Sequence, residues 1–154
     1  TVQMGTSYAQ KHLLHYNLGN DRFEEAAARS GAALNKTYAG RGVAFGDYDN
    51  DGDIDILINN IDSAPTLLRN DGGNRARWIG FAGLPVGARV TIEAASRRQM
   101  AEVKSAASYL SSSDPRLHFG LGGVRVVERV TIRLPSREVR ERRNLAAGRY
   151  WGLP

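Results

Sequence analysis

The residues best suited to chemistry lie in one run, Asp47-Tyr48-Asp49-Asn50-Asp51-Gly52-Asp53-Ile54-Asp55. Carboxylates at positions 1, 3, 5 and 9 of a tight loop can converge their oxygens on one centre, and glycine at position 6 permits the sharp turn that brings the last of them round. A hard divalent cation of calcium's size suits such a set, whereas magnesium demands a stricter octahedron and dehydrates reluctantly. The expected assignment is side-chain oxygens from Asp47, Asp49, Asp51 and Asp55, the main-chain carbonyl of Asp53, and water, at about 2.3–2.6 Å. Without a cation the converging carboxylates repel one another in a partly desolvated loop. The competing reading is a solvated acidic turn that holds no specific ion. An EF-hand is ruled out, because position 12 is Ile58 rather than a bidentate Glu and the flanks have β character.

Those flanks must position the loop. Val43-Ala44-Phe45-Gly46 and Ile54-Asp55-Ile56-Leu57-Ile58 are short apolar runs, too short for independent helices, and predict a hairpin closed by Asp47–Asp53. Further along, Val90, Ile92 and Ala94 alternate with Arg89, Thr91 and Glu93, and Val130, Ile132 and Leu134 alternate with Arg129, Thr131 and Arg133. Each predicts a strand with one core face and one polar face. Pro135-Ser136-Arg137 turns the chain into a further strand over Glu138–Arg142, and Leu121-Gly122-Gly123 is another turn. Phe23–Ser30 is the exception: its Glu-Glu-Ala-Ala-Ala core predicts one or two helical turns ending at Gly31.

An internal repeat is visible as well. Leu13-Leu14-His15-Tyr16-Asn17-Leu18-Gly19-Asn20 aligns without gaps on Leu67-Leu68-Arg69-Asn70-Asp71-Gly72-Gly73-Asn74 at an offset of 54 residues, which suits a propeller blade or a comparable β unit. Nothing similar follows 54 residues later, so the repeat region is expected to end near Asn74 and a second domain to begin near Trp78, dividing the chain into residues 1–76 and 77–154. Charge divides there too: residues 1–74 hold 6 Lys and Arg against 10 Asp and Glu, and residues 75–154 hold 15 against 6. Absence of cysteine among the 154 residues removes disulfides, thiolate zinc sites and iron–sulfur clusters. No stretch approaches the ~20 apolar residues of a membrane-spanning helix. No signal-type apolar segment follows Thr1, so a targeting segment is expected to have been removed or to lie outside this sequence.

The segment from Val43 to Leu57 closely resembles the FG-GAP/VCBS repeats of integrin-like and bacterial surface propellers, with Leu67-Leu68-Arg69-Asn70 and Gly72-Gly73-Asn74 as its usual continuation. Gly87-Ala88-Arg89-Val90, Ser108-Tyr109-Leu110, Asp114-Pro115-Arg116-Leu117-His118-Phe119-Gly120-Leu121-Gly122 and Leu134-Pro135-Ser136 stand in the order seen in the ASPIC/UnbV domain of cartilage acidic protein-like proteins and their bacterial relatives. The chain departs from that pattern twice. Arg137 stands where the family has glycine after Pro-Ser, so a left-handed residue retained there would cost roughly 1 kcal/mol. The connection from Trp78 to Gly87 is also shorter than the family's. The resemblance implies an extracellular, periplasmic or cell-surface calcium-containing β protein and no settled activity.

The expected architecture is all-β: a propeller-blade-like calcium-binding β-hairpin repeat packed with a small β-sandwich-like domain. About one and a half blades cannot close a propeller, so the repeat strands must pack on the second domain, on another chain or on sequence outside this one. The leading functional expectation is a calcium-stabilised binding or adhesion module with Asp47, Asp49, Asp51, Asp53 and Asp55 as metal residues and a protein or carbohydrate partner. An anion or nucleic-acid binder using Arg137, Arg140, Arg142, Arg143 and Arg149 beside Tyr150 and Trp151 is the second reading, weighed against a solvated surface that guards a sheet edge. A calcium-dependent enzyme is the third, and a non-enzymatic role is favoured over it. His12, His15 and His118 lack acidic or thiol partners at ligand spacing and are expected to be structural, and Ser111-Ser112-Ser113 has no nucleophile elbow. Phe119-Gly120-Leu121-Gly122-Gly123 is neither a Walker loop nor a dinucleotide fingerprint.

Overall fold

A computed structural model of the chain describes residues 8–152; the ends of the two expected domains, residues 1–7 and 153–154, lie outside it. Among the described residues the strands are β1 (Gln10–Lys11), β2 (His15–Gly19), β3 (Arg22–Glu25), β4 (Thr37–Tyr38), β5 (Gly40–Gly46), β6 (Asp55–Asn60) and β7 (Thr66–Leu68), followed by β8 (Arg77–Ala82), β9 (Arg89–Ala94), β10 (Arg97–Glu102), β11 (Leu117–Gly122), β12 (Val126–Arg133), β13 (Val139–Ala146) and β14 (Tyr150–Gly152). Regular helix among these residues is limited to three 3-10 turns of three or four residues, so the architecture is all-β.

Strands from β8 onward form a sandwich. One sheet has the order β10-β9-β12-β13 and the other β11-β8-β14. All pairings are antiparallel except β14 on β8, which is parallel. The period-2 alternation explains the core directly. Val90, Ile92 and Ala94 face Ile79, Phe81, Leu117, Phe119 and Leu121 across the two sheets, and Val127, Val130, Ile132 and Leu145 complete the cluster. Burying each of the larger side chains contributes about 1.5–3 kcal/mol. This cluster is the main apolar core among the described residues.

The acidic hairpin stands in a second layer. β5 pairs with β6 and β6 with β7, all antiparallel, and the Asp47–Ile54 loop joins the first two. The outer edge of β5 is met by a segment of the sandwich domain: Val43 N–H donates to Ser111 Oγ, Phe45 N–H to Ser113 Oγ, and Asp114 N–H to the Phe45 carbonyl. The serine run is thus an edge cover that satisfies strand donors otherwise open to another chain. Ahead of it, β2 and β3 form a two-stranded hairpin whose residues are all exposed, and β1 pairs with β4.

Of the helical turns expected over Phe23–Ser30, only one 3-10 turn, Ala27–Arg29, is formed, and the first half of the segment is strand. Residues 22–25 pair with β2 across a turn in which Gly19, Asn20 and Asp21 all have positive φ, so their backbone groups are committed to a ladder before a helix could use them. The 3-10 turn follows, and helix propensity yields here to strand pairing. Gly31, at φ 134°, does break the chain direction after it. The two segments aligned at an offset of 54 also fold differently. Leu67–Leu68 belongs to β7 and leads into a turn, whereas Leu13–Leu14 precedes the strand His15–Gly19. Their partners differ: Gly72, Gly73 and Asn74 donate their N–H groups to the buried Asp53, whereas the earlier copy pairs with residues 22–25, and its Gly19 N–H donates to Asn17 Oδ1.

Candidate metal centre

Asp47 leaves the end of β5 and Asp55 opens β6, so the hairpin register that pairs Gly46 with Asp55 brings the first and last acids of the loop side by side. Ligand atoms of Asp47, Asp49 and Asp55 lie within 4.8 Å of one another. Asp47 and Asp55 are buried, at 0% and 2% exposure, and Asp49 is exposed. Backbone donors orient the two buried carboxylates. Tyr48 N–H and Asn70 N–H bond the two oxygens of Asp55 at 3.1 and 2.8 Å, and Gly52 N–H bonds Asp47 Oδ2 at 3.1 Å. Asp47 Oδ1 is buried without a hydrogen-bond partner. An unpaired buried carboxylate oxygen is costly, and beside two further carboxylates the group that would relieve it is a cation. The donor set is wholly oxygen, the preference of a hard divalent ion.

The other two acids of the run also take part in hydrogen bonds within and beneath the loop, and Asp53 Oδ1 is buried without a partner. Asp51 Oδ1 accepts from Asp53 N–H at 3.0 Å. Asp53, 2% exposed, accepts the Gly72, Gly73 and Asn74 amides on Oδ2 and so ties the turn after β7 beneath the loop. Burial pushes the Asp53 carboxyl above the ordinary carboxylate range; the Gly72 amide opposes this, neighbouring Asp51 adds to it, and the Asn74 and Gly73 amides oppose it again. Asn74 Nδ2 also donates to the Asp51 carbonyl.

The loop does not stand alone. On β8, Ile79 and Phe81 enter the sandwich core while Trp78 and Gly80 face the other way, and on β11 Leu117 and Phe119 are in the core while His118 faces out. That outer face is where the loop sits. Gly52, at φ 97°, lies against the Trp78 indole so closely that a Cβ would collide with it. The ring of Trp78 stacks on His118, with centroids 5.1 Å apart, and tilts against Tyr150 at 5.0 Å. His118 donates from Nε2 to the Gly52 carbonyl at 3.0 Å, which sets its tautomer. Tyr150 O–H donates to Asp47 Oδ2 at 3.1 Å. Burial first, and the negative Asp47 next, push the Tyr150 phenol above its ordinary value, so it stays a donor. Its ring crosses Gly80, where a Cβ would overlap it. Arg116 spans the remaining side, donating to the Asp47 carbonyl and Asn50 Oδ1 at 2.6 Å each and to Asp114 Oδ2 at 2.7 Å, with its guanidinium 4.4 Å from the Tyr150 ring centroid. The hydrogen bond to Asp114 holds it firmly protonated.

None of Trp78, Arg116, His118 or Tyr150 is marked by spacing relative to the acidic run. Trp78, His118 and Tyr150 occupy the off-core phase of their strands, and Arg116 immediately precedes β11. The arginines of the second reading each have partners of their own or an exposed place on the sheet. Arg140 pairs with Glu138 and Arg143 with Glu141, and Arg149 lies over Trp151. Register places Arg140 and Arg142 opposite the core residues Ile132 and Val130, and Arg143 opposite Arg129 on the other face of the sheet. Charges on the core-side face of the edge strand β13 discourage further strand pairing. Arg137 has φ 71°, the left-handed conformation for which the sequence provides no glycine.

An all-β chain in which an acidic hairpin loop, able to hold a metal ion, rests on a sandwich is thus defined by the geometry. Residues 5–58 match the FG-GAP-like repeat and residues 83–153 match the family described as ASPIC and UnbV, so the chain carries an FG-GAP-like repeat followed by an ASPIC/UnbV domain. FG-GAP repeats are typical of extracellular or surface proteins. No curated protein matches the chain. Among the described residues no helix is long and apolar enough to cross a membrane.

Proposed function

We propose that the chain is a calcium-stabilised extracellular binding module. Asp47, Asp49 and Asp55 would hold the ion through carboxylate oxygens, with the Asp51 side chain and the Asp53 carbonyl as the further oxygens that the loop spacing offers. When bound, the ion supplies the positive charge that lets these carboxylates share one buried place, and it thereby fixes the hairpin on which a recognition surface is presented. The single observation that carries the reading is Asp47 Oδ1, fully buried, unpartnered, and grouped with two other carboxylates. Residues 1–76 are taken as the repeat and 77–154 as the second domain, a division supported by Arg77 opening the first sandwich strand. A protein or carbohydrate is the partner class that suits an extracellular module of this kind.

Thermal unfolding of the chain in EDTA and in millimolar calcium, with Asp49→Ala alongside, tests the reading. Calcium at 100 times its dissociation constant adds about 2.7 kcal/mol, a rise of several degrees in Tm for a chain of this length. The rise is expected in the parent and not in Asp49→Ala. Equal Tm values with and without calcium in a folded parent would return the loop to the status of a solvated turn.

A further inference from the structure

The contacts that the second domain makes on the loop come from three neighbouring strands of one sheet and a residue beside them: Trp78 on β8, His118 on β11 with Arg116 just ahead of it, and Tyr150 on β14. His118 and Tyr150 are both register partners of Gly80, one from each side, so the two polar tips and the Trp78 ring form a continuous platform. Against that platform lie Asp47 Oδ2, the Asp47 carbonyl, Asn50 Oδ1 and the Gly52 carbonyl. We propose that this sheet of the second domain is the positioning shell of the ion site, so that ion affinity is set by the ASPIC/UnbV domain, and ion uptake and docking of the two domains are one coupled equilibrium. The inference rests on the reading that the Asp47–Asp55 loop holds a divalent cation.

Two features support a positioning role over mere packing. Tyr150 O–H and Gly52 N–H together occupy Asp47 Oδ2, which leaves Oδ1 as the oxygen offered to an ion. Outer partners of this kind orient a ligand, and their loss lowers metal affinity by about 10- to 100-fold. The second feature is electrostatic. A guanidinium 2.6 Å from the carbonyl of a ligand residue would ordinarily oppose a cation, yet Arg116 arrives already paired with Asp114, and it donates to the neutral oxygens of Asp47 and Asn50 rather than to a loop carboxylate. The loop therefore keeps its negative charge for the ion while its backbone is held by strong, charge-assisted bonds.

Calorimetric titration of calcium into the full chain, its Tyr150→Phe and Asp114→Asn variants and Asp49→Ala, at low and high salt, tests this. Tyr150→Phe keeps the ring and removes one donor, and is expected to weaken calcium about tenfold at either salt concentration. Asp114→Asn leaves the Arg116 charge uncompensated beside Asp47, and is expected to weaken calcium most at low salt, with partial recovery as salt screens it. A shell that only packs would lower the urea midpoint of the calcium-free variants and leave their dissociation constants and salt dependence at parent values. Dissociation constants within twofold of the parent in both shell variants, with binding abolished in Asp49→Ala, would overturn the inference and leave the ion site standing. Absence of binding by the parent would overturn both.

Discussion

Gly52→Ala probes the join between the loop and the second domain with a single methyl group. At φ 97° an L-residue is held in left-handed backbone, at about 1–2 kcal/mol. The added Cβ also falls on the Trp78 indole, which His118 and Tyr150 hold from its own side, so the ring cannot withdraw without disturbing both. Overpacking of this kind costs about 1–3 kcal/mol. Together the loss is about 2–5 kcal/mol, a large part of the 5–15 kcal/mol by which domains are stable. Equilibrium urea unfolding in EDTA, read by tryptophan fluorescence and by far-UV circular dichroism, gives the assay. With slopes near 1–3 kcal/mol per molar, the midpoint should fall by on the order of 1–2 M. Repeating the substitution in a Trp78→Ala background separates the two causes: the collision disappears and only the ~1–2 kcal/mol backbone strain remains, so the cycle should show a coupling of at least 1 kcal/mol. A single variant within about 0.5 kcal/mol of the parent, or a cycle without coupling, would refute the packing of the loop against Trp78.

Other expectations follow from the same physics. Phe81→Ala, at the fully buried centre of the sandwich, should lose about 3–5 kcal/mol in urea unfolding, and a loss below 1 kcal/mol would contradict the core assignment. Arg137→Gly, at φ 71° and exposed, should gain about 0.5–1 kcal/mol and raise Tm by a few degrees, whereas a loss would mean the Arg137 side chain contributes more than its backbone costs. Tyr150 is the pH-sensitive element. Its folded value is raised above the ordinary 10.0, so its contribution to stability is complete below that pH and is lost as pH rises through the higher folded value. Absorbance titration of the six tyrosines should show one that ionises late, together with unfolding, and that vanishes in Tyr150→Phe; six ionisations near 10 in folded protein would count against it.

Strands were the most legible feature. Val90, Ile92 and Ala94 announce a core face because a residue's side of a sheet depends only on the parity of its position. The acidic hairpin was legible for a similar reason, since its two flanks are adjacent in sequence and their register is set by the turn between them. The Phe23–Ser30 segment misled because its alanines carry helix propensity, whereas the bonds that decided its shape run to β2 across the Gly19–Asp21 turn. The edge-covering role of the serine run left no local signal, because its partners, Val43 and Phe45, lie 68 residues away.

Local sequence is enough to specify the carboxylates of the loop, the glycine that lets it turn, and the two-faced strands of the sandwich. Each of these follows from interactions between residues a few positions apart, whose geometry is governed by backbone dihedrals and strand periodicity. Long-range packing, by contrast, is what sets Asp53 to serve the Gly72–Asn74 turn, Asp47 to share its carboxylate with Tyr150, and Arg116 and His118 to grip the loop backbone. Those bonds join residues 19 to 103 positions apart. Bonds over such separations leave no local periodicity, because what brings their partners together is the return of the turn after β7 beneath the loop and the seating of the loop on the outer face of β8, β11 and β14.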